Sequence, residues 1–137
     1  VADLENEGKK VNAEALEYIH RSKTAALIRA SVAAGALSAG ANAEDVGRLR
    51  RFGETIGWAF QVTDDILDVE ESSAALGKTA GKDIAQQKAT YPAVYGIEKS
   101  HEIATRLANE AIAELNIYGE RALKLRALAK FLVLRRT

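Results

Sequence analysis

Apolar residues recur along this chain at the three-to-four-residue spacing of amphipathic helices. No stretch sustains the alternation of a half-buried strand, so the pattern predicts an all-α fold. The first helix is expected to start near Asn12, a candidate N-cap, and to run through AEALEYIHRSKTAALIRASVAAGALSAG. Leu16, Ile19, Lys23, Leu27 and Ala30 fall roughly along one face of it. Gly40 and Asn42 mark its end, and the small residues Ala33, Ala34, Gly35 and Ala36 suit the close approach of a neighbouring helix.

A second helix is expected over AEDVGRLRRFGETIGWAFQVTDDILDVEE, with Leu49, Phe52, Ile56 and Phe60 at helical spacing. SSAALGKTAGKD, containing Gly77 and Gly81, reads as a loop by composition. Another helix starts around residues 88–91 and continues through VYGIEKS, with Pro92 in its first turn. SHEIATRLANEAIAELNIYG follows as a helix capped by Ser100 and stopped by Gly119. The last, ERALKLRALAKFLVLRR, carries Leu123, Leu125, Leu128, Leu132 and Val133 as its apolar residues. Internal repeats and low-complexity linkers are absent from the sequence, which reads as one domain or part of one.

One segment conflicts with this regularity. In FQVTDDILDVEES, residues 60–72, Asp64, Asp65 and Asp68 crowd together while Ile66, Leu67 and Val69 continue the apolar pattern. Aspartate is a mediocre helix former, like charges four apart repel, and the C-terminal end of a helix dipole disfavours acids. At about 100° per residue, Asp64 and Asp68 lie about 40° apart, with Asp65 about 60° from Asp68 on the other side. Three carboxylates therefore meet at one end of a helix face. A hard divalent cation removes their repulsion, and magnesium typically takes one or two carboxylates with water and substrate phosphate. A solvated acidic face is the plain alternative. The apolar helix before the cluster and the lysines after it favour a site.

Those lysines lie in LGKTAGKDIAQQKATYP, where Lys78 and Lys88 offer point charges for phosphate and the glycines let backbone N–H groups approach an anion. An ordinary basic turn would look the same, and the spacing is not that of a P-loop. Upstream, Lys23 interrupts the apolar stripe of the first helix, either snorkelling to solvent or projecting into the same cavity. Gln61 is a polar residue in an apolar helix, one turn before Asp65.

Composition narrows the function classes. The 137 residues are 47% hydrophobic and 28% charged, as in a globular chain with a real core. Nineteen Lys and Arg balance nineteen Asp and Glu, which gives no support for nucleic-acid binding. With no cysteine, disulfides, zinc-thiolate sites and thiol nucleophiles are excluded. The most apolar window, residues 30–43, is too short for stable membrane insertion. The start shows no signal or transit pattern. The chain begins at Val1 and contains no methionine, which fits either a processed start or a piece of a longer protein.

FQVTDDILD resembles the second aspartate-rich motif of the trans-isoprenyl diphosphate synthases. HRSKTAAL resembles their KT motif, and LGKTAGKD with the following Lys88 and TYP resembles their lysine loop. VADLENEGK looks like the segment that leads into the KT helix. The likeness covers nearly the whole chain, in order, and is greatest for the farnesyl/geranylgeranyl diphosphate synthase branch. It implies an all-α fold of long helices around a deep central cavity, usually a homodimer. It also implies a magnesium-dependent prenyltransferase that joins isopentenyl diphosphate to an allylic diphosphate by ionisation, condensation and elimination.

Carried over by position, Asp64, Asp65 and Asp68 correspond to the metal-binding motif, with Asp64 foremost. Lys23 and Thr24 correspond to the pair that contacts allylic diphosphate, and Gln61 to the glutamine beside the reacting centre. Lys78 and Lys88 correspond to lysines on the diphosphate, and Asp83 to an acid that orients them. Arg135 and Arg136 end the chain either as a solvated pair or, since members of this family can fold a basic C-terminus toward the bound diphosphates, as a further contact to them.

The family's first aspartate-rich motif and its upstream basic residues have no counterpart here. Residues 1–137 are therefore expected to be the C-terminal part of a single synthase domain, inactive alone. The alternative is a non-catalytic subunit or fragment associating with a full synthase. A class I terpene cyclase shares the metal chemistry but lacks the KT and lysine-loop pattern. The expected location is the cytoplasm, or a plastid if a transit peptide precedes the chain.

Overall fold

The computed structural model describes residues 13–22, 24–87 and 90–133, with backbone alone at 15 and 73–87. Among the described residues there are only helices: α1 (Ala13–Ser22), α2 (Thr24–Ser38), α3 (Ala43–Gln87), α4 (Tyr91–Tyr95), α5 (Ile97–Glu114), a 3-10 segment (Asn116–Ala122) and α6 (Leu123–Val133). The all-α expectation holds. α3 is the axis of the fold, packing most extensively against α2 and α5 and also against α1, α4 and α6.

Local chemistry sets several boundaries. Gly40, at φ 74°, ends α2. Gly40 N–H donates to the Leu37 carbonyl and Ala41 N–H to the Ala36 carbonyl, each at 3.0 Å. This paired closure satisfies carbonyls that the helix end would otherwise leave open. Asn42 then caps α3, its Oδ1 accepting from Asp45 N–H at 2.8 Å. Thr90 caps α4 by accepting from Ala93 N–H, and Pro92 sits in the first turn, where no N–H is needed.

The core runs along α3 through Phe52, Ile56, Ala59, Val62 and Ile66, which pack with Leu16, Tyr91, Ala104, Leu107, Ala108, Ala111 and Leu115. On the α2 side the contact is between backbones. A Cβ on Gly57 would lie 2.6 Å from Ala25 Cα, and one on Gly53 2.9 Å from Arg29 Cα. Only glycine permits that approach. The sequence had pointed instead to residues 33–36, of which Ala33 and Ala36 are buried while Ala34 and Gly35 face outward.

Other expectations are corrected. SSAALGKTAGKD is not a loop, because α3 continues through it to Gln87, which puts Asp64, Asp65 and Asp68 in mid-helix rather than at the expected C-terminal end. Two isolated glycines cost only about 1 kcal/mol each relative to alanine, and no proline interrupts the segment. Leu27 does not share the buried face of Leu16 and Ile19; it is 67% exposed. The glycine contact with α3 turns Ala25, Ile28 and Val32 inward and leaves Leu27 outside. Ser100 is not a cap. α5 begins at Ile97 after Gly96, and the fully buried Ser100 returns its Oγ–H to the Gly96 carbonyl at 2.7 Å. α5 stops at Glu114 rather than Gly119, which forms a kink at φ 53° inside the 3-10 segment. On α6, Leu123, Leu128 and Phe131 are exposed while Leu125, Leu132 and Val133 pack on the core. The expected Asn12 cap lies outside the described residues.

Candidate active site

The buried stripe of α3 fixes its rotation. With Ile56, Ala59, Val62 and Ile66 turned inward, Gln61, Asp64 and Asp68 follow at three- and four-residue steps on a separate stripe. Gln61 and Asp64 are half-buried, and Asp68 is exposed. Thr63, buried at the same level, donates its hydroxyl to the Ala59 carbonyl at 2.9 Å and is satisfied within the helix. Ser72 does the same to the Asp68 carbonyl at 2.7 Å.

Asp65 is differently engaged. Its Oδ2 accepts from His20 Nε2 and from Tyr91 N–H, both at 2.9 Å. One carboxylate oxygen thus ties α1 to α3 and to the start of α4. The Asp65 side chain is 17% exposed and that of His20 7%. His20 Nδ1 lies 3.1 Å from the Leu16 carbonyl, and the ring meets Tyr91 edge-on at 5.3 Å. The Tyr91 hydroxyl accepts from Trp58 Nε1 at 2.7 Å. Burial pushes the Tyr91 phenol up to about 12, against the opposing effect of the Trp58 N–H. Arg21 stacks over the Trp58 ring at 5.0 Å and pairs with Glu17 and Glu54.

No group of three or more His, Asp or Glu side chains among the described residues is arranged to hold a metal ion. Magnesium does not require one, since one or two carboxylates suffice when water and phosphate complete the shell. Asp64 and Asp68, one turn apart on the more open stripe, fit that donor chemistry. Asp65 has one oxygen committed to two donors.

The remaining residues singled out from the sequence are less fully placed. Thr24 begins α2 and is half-buried. Lys23, Lys88, Arg135 and Arg136 lie outside the described residues. Lys78 and Asp83 fall on the continuous α3, with backbone alone described. Ten helical positions put the Lys78 backbone about 15 Å along the axis from Asp68. The structure therefore gathers Gln61, Asp64 and Asp68 on one stripe and does not fold a glycine loop over them.

Sequence reasoning passed over His20 and Tyr91, although both stood inside quoted motifs. For His20 the available signal was a polar ring four residues after Leu16 on a buried stripe. The partner of both, Asp65, lies 45 and 26 residues away in sequence.

A family model described as Polyprenyl synthetase matches residues 1–124. A chloroplastic geranylgeranyl pyrophosphate synthase of Catharanthus roseus is 50% identical over 98% of this chain and 38% of its own length. The chloroplastic large subunit 1 of a heterodimeric geranylgeranyl pyrophosphate synthase from Arabidopsis thaliana is 46% identical, again over 98% of this chain and 38% of its own. Among solved structures, a Helicobacter pylori geranyltransferase complexed with magnesium and isoprenyl diphosphate superposes with a TM-score of 0.74. It is 30% identical and covers 96% of this chain and 43% of its own. The chain thus spans well under half the length of these curated relatives.

Proposed function

Since this chain belongs to the polyprenyl synthetase family, we propose that it is the C-terminal part of a short-chain prenyl diphosphate synthase. That enzyme would condense isopentenyl diphosphate with an allylic diphosphate to make farnesyl or geranylgeranyl diphosphate. The observation that carries the reading is the stripe of Gln61, Asp64 and Asp68 beside an apolar core. Two carboxylates one turn apart beside an apolar core repel each other, and a shared cation relieves that repulsion.

In this reading Asp64 and Asp68 hold magnesium, whose charge, when bound, neutralises the departing diphosphate. Lys23, Thr24, Lys78 and Lys88 bind the allylic diphosphate. Gln61 and Thr24 turn polar atoms toward the reacting carbons, where an apolar, water-poor surface protects developing positive charge. The chain supplies one aspartate-rich helix, and a second, on the rest of the synthase domain, would hold the diphosphate from the other side.

Exposed apolar side chains support a larger assembly. Leu27, Leu37, Ile117, Leu128 and Phe131 are each more than half exposed. Such residues call for cover by the remainder of the domain and by a second subunit in a homodimer. No helix among the described residues is long and apolar enough to cross a membrane. A soluble enzyme of the cytoplasm or a plastid is part of the proposal.

The test is to assay the full-length enzyme and residues 1–137 separately, each with magnesium, isopentenyl diphosphate and an allylic diphosphate. Turnover by the full enzyme and none by the fragment is expected. Turnover by the fragment at roughly 1 per second or more would overturn the half-site reading. A full-length protein that is inactive alone but binds a synthase would favour the non-catalytic subunit.

A further inference from the structure

We propose that His20 is a positioning residue. Through Asp65 it fixes the acidic turn in the middle of α3, and with it the placement of Asp64 and Asp68 toward a magnesium–diphosphate ligand. The inference rests on the function proposed above.

The geometry is specific. His20 is buried, and its Nε2 lies 2.9 Å from Asp65 Oδ2, the same oxygen that Tyr91 N–H reaches from the other element. A carboxylate only accepts, so both neighbours donate to it. Leu16, fully buried four residues before His20, anchors α1 against the core. Tyr91 holds the imidazole edge-on, and Trp58 holds the Tyr91 hydroxyl. The donors therefore come from α1 and α4, and neither moves independently of the core.

This grip falls where packing runs out. Ile66 is the last buried residue of α3 among those with described side chains, and residues 67–72 are half-buried or exposed. Apolar contacts up to Ile66 cannot by themselves set the tilt of the turn that carries Asp68. The Asp65 crosslink supplies that constraint from the core side; further along, among the described residues, Glu70 of α3 meets only the exposed His101 of α5, at 3.1 Å. The crosslink also commits Asp65 to the protein. Without His20, Asp65 keeps one of these two donors and can swing toward the cation that Asp64 and Asp68 would share. Partners that orient metal-binding side chains in this way typically change metal affinity or activity by about 10–100-fold when removed.

The experiment compares His20→Leu, His20→Asn and His20→Gln in the full-length enzyme. Leucine removes the donor, asparagine is too short to reach Asp65, and glutamine can place an amide near the Nε2 position. For each, the melting temperature is measured without ligand and with magnesium plus inorganic pyrophosphate, alongside kcat, KM and the magnesium requirement. The Leu and Asn variants are expected to need roughly tenfold more magnesium and to lose most of the ligand-induced stabilisation. His20→Gln is expected to restore both. If His20→Leu does not fold, the Asn and Gln pair decides. A folded Leu or Asn variant with an unaltered magnesium requirement assigns His20 to structure alone and overturns the proposal. A folded Gln variant that recovers neither readout overturns it too. Failure of the functional reading shows separately, as a parent enzyme with neither turnover nor stabilisation by magnesium pyrophosphate.

Discussion

Between Gly53 and Gly57, α3 meets α2 through bare backbone; between Gln61 and Asp68 the same helix meets its neighbours through directed hydrogen bonds. The first contact depends on shape. No Cβ fits at Gly57, and Ala25 opposite it is fully buried. The second depends on direction, since Asp65 Oδ2 must lie within 2.9 Å of two donors on different elements. A shape contact resists any added atom and is indifferent to charge. A directed contact tolerates changes of shape but fails when a donor is lost. Placed a few turns apart, the glycine contact holds α3 while the polar contact aims its acidic turn.

The comparison breaks most visibly at Asp64. In the full-length enzyme Asp64→Ala should lower turnover on the order of 100-fold or more, because metal charge neutralisation contributes several kcal/mol to such a transition state. Removing a carboxylate from a crowded cluster relieves repulsion, so the melting temperature should hold or rise. Steady-state kinetics beside thermal melts check this. Normal turnover with a lowered melting temperature would assign Asp64 to structure instead.

At the glycine contact the effect should invert. Gly57→Ala should destabilise the fold by about 1–3 kcal/mol, read by denaturant unfolding, with turnover per folded molecule retained. Ala25→Gly should not rescue it, because the nearest clash at 2.6 Å is with Ala25 Cα. Full rescue would show that the helices separate easily and that the close approach is not required.

Tyr91→Phe removes only the hydroxyl that accepts from Trp58 Nε1. A loss of about 1 kcal/mol is expected, since the indole N–H is left without that partner while the backbone N–H to Asp65 is kept. Catalysis should be little altered. A large fall in turnover with unchanged stability would extend the aiming region to the tyrosine ring.

The smallest effect is a pH dependence. Burial raises the Tyr91 phenol from 10.0 to about 12. The folded state thus holds this proton more tightly than the unfolded state. Its contribution is fully present below pH 10 and is lost as pH rises toward about 12, with no effect at neutral pH. Melting temperature against pH should fall more steeply over that window in the parent protein than in Tyr91→Phe. Parallel curves would mean that the phenolate is accommodated in the fold.

What the sequence determined by itself was whatever a short window contains. Helical periodicity, the glycine that closes α2, the proline-led turn at Thr90 and the crowding of Asp64 and Asp68 on one helix face all follow from neighbours within about two turns. Each motif that marks the family is local in the same sense. Composition was a poorer guide, and it turned a helical stretch at residues 72–83 into a loop because two glycines weighed more than the continuous helix formers around them. Tertiary structure alone decided that Gly53 and Gly57 are contact points, that Leu27 faces outward, and that Asp65 serves His20 and Tyr91. Each depends on a surface that arrives from another helix. A glycine's missing side chain and a carboxylate's second donor acquire meaning only when that surface is in place.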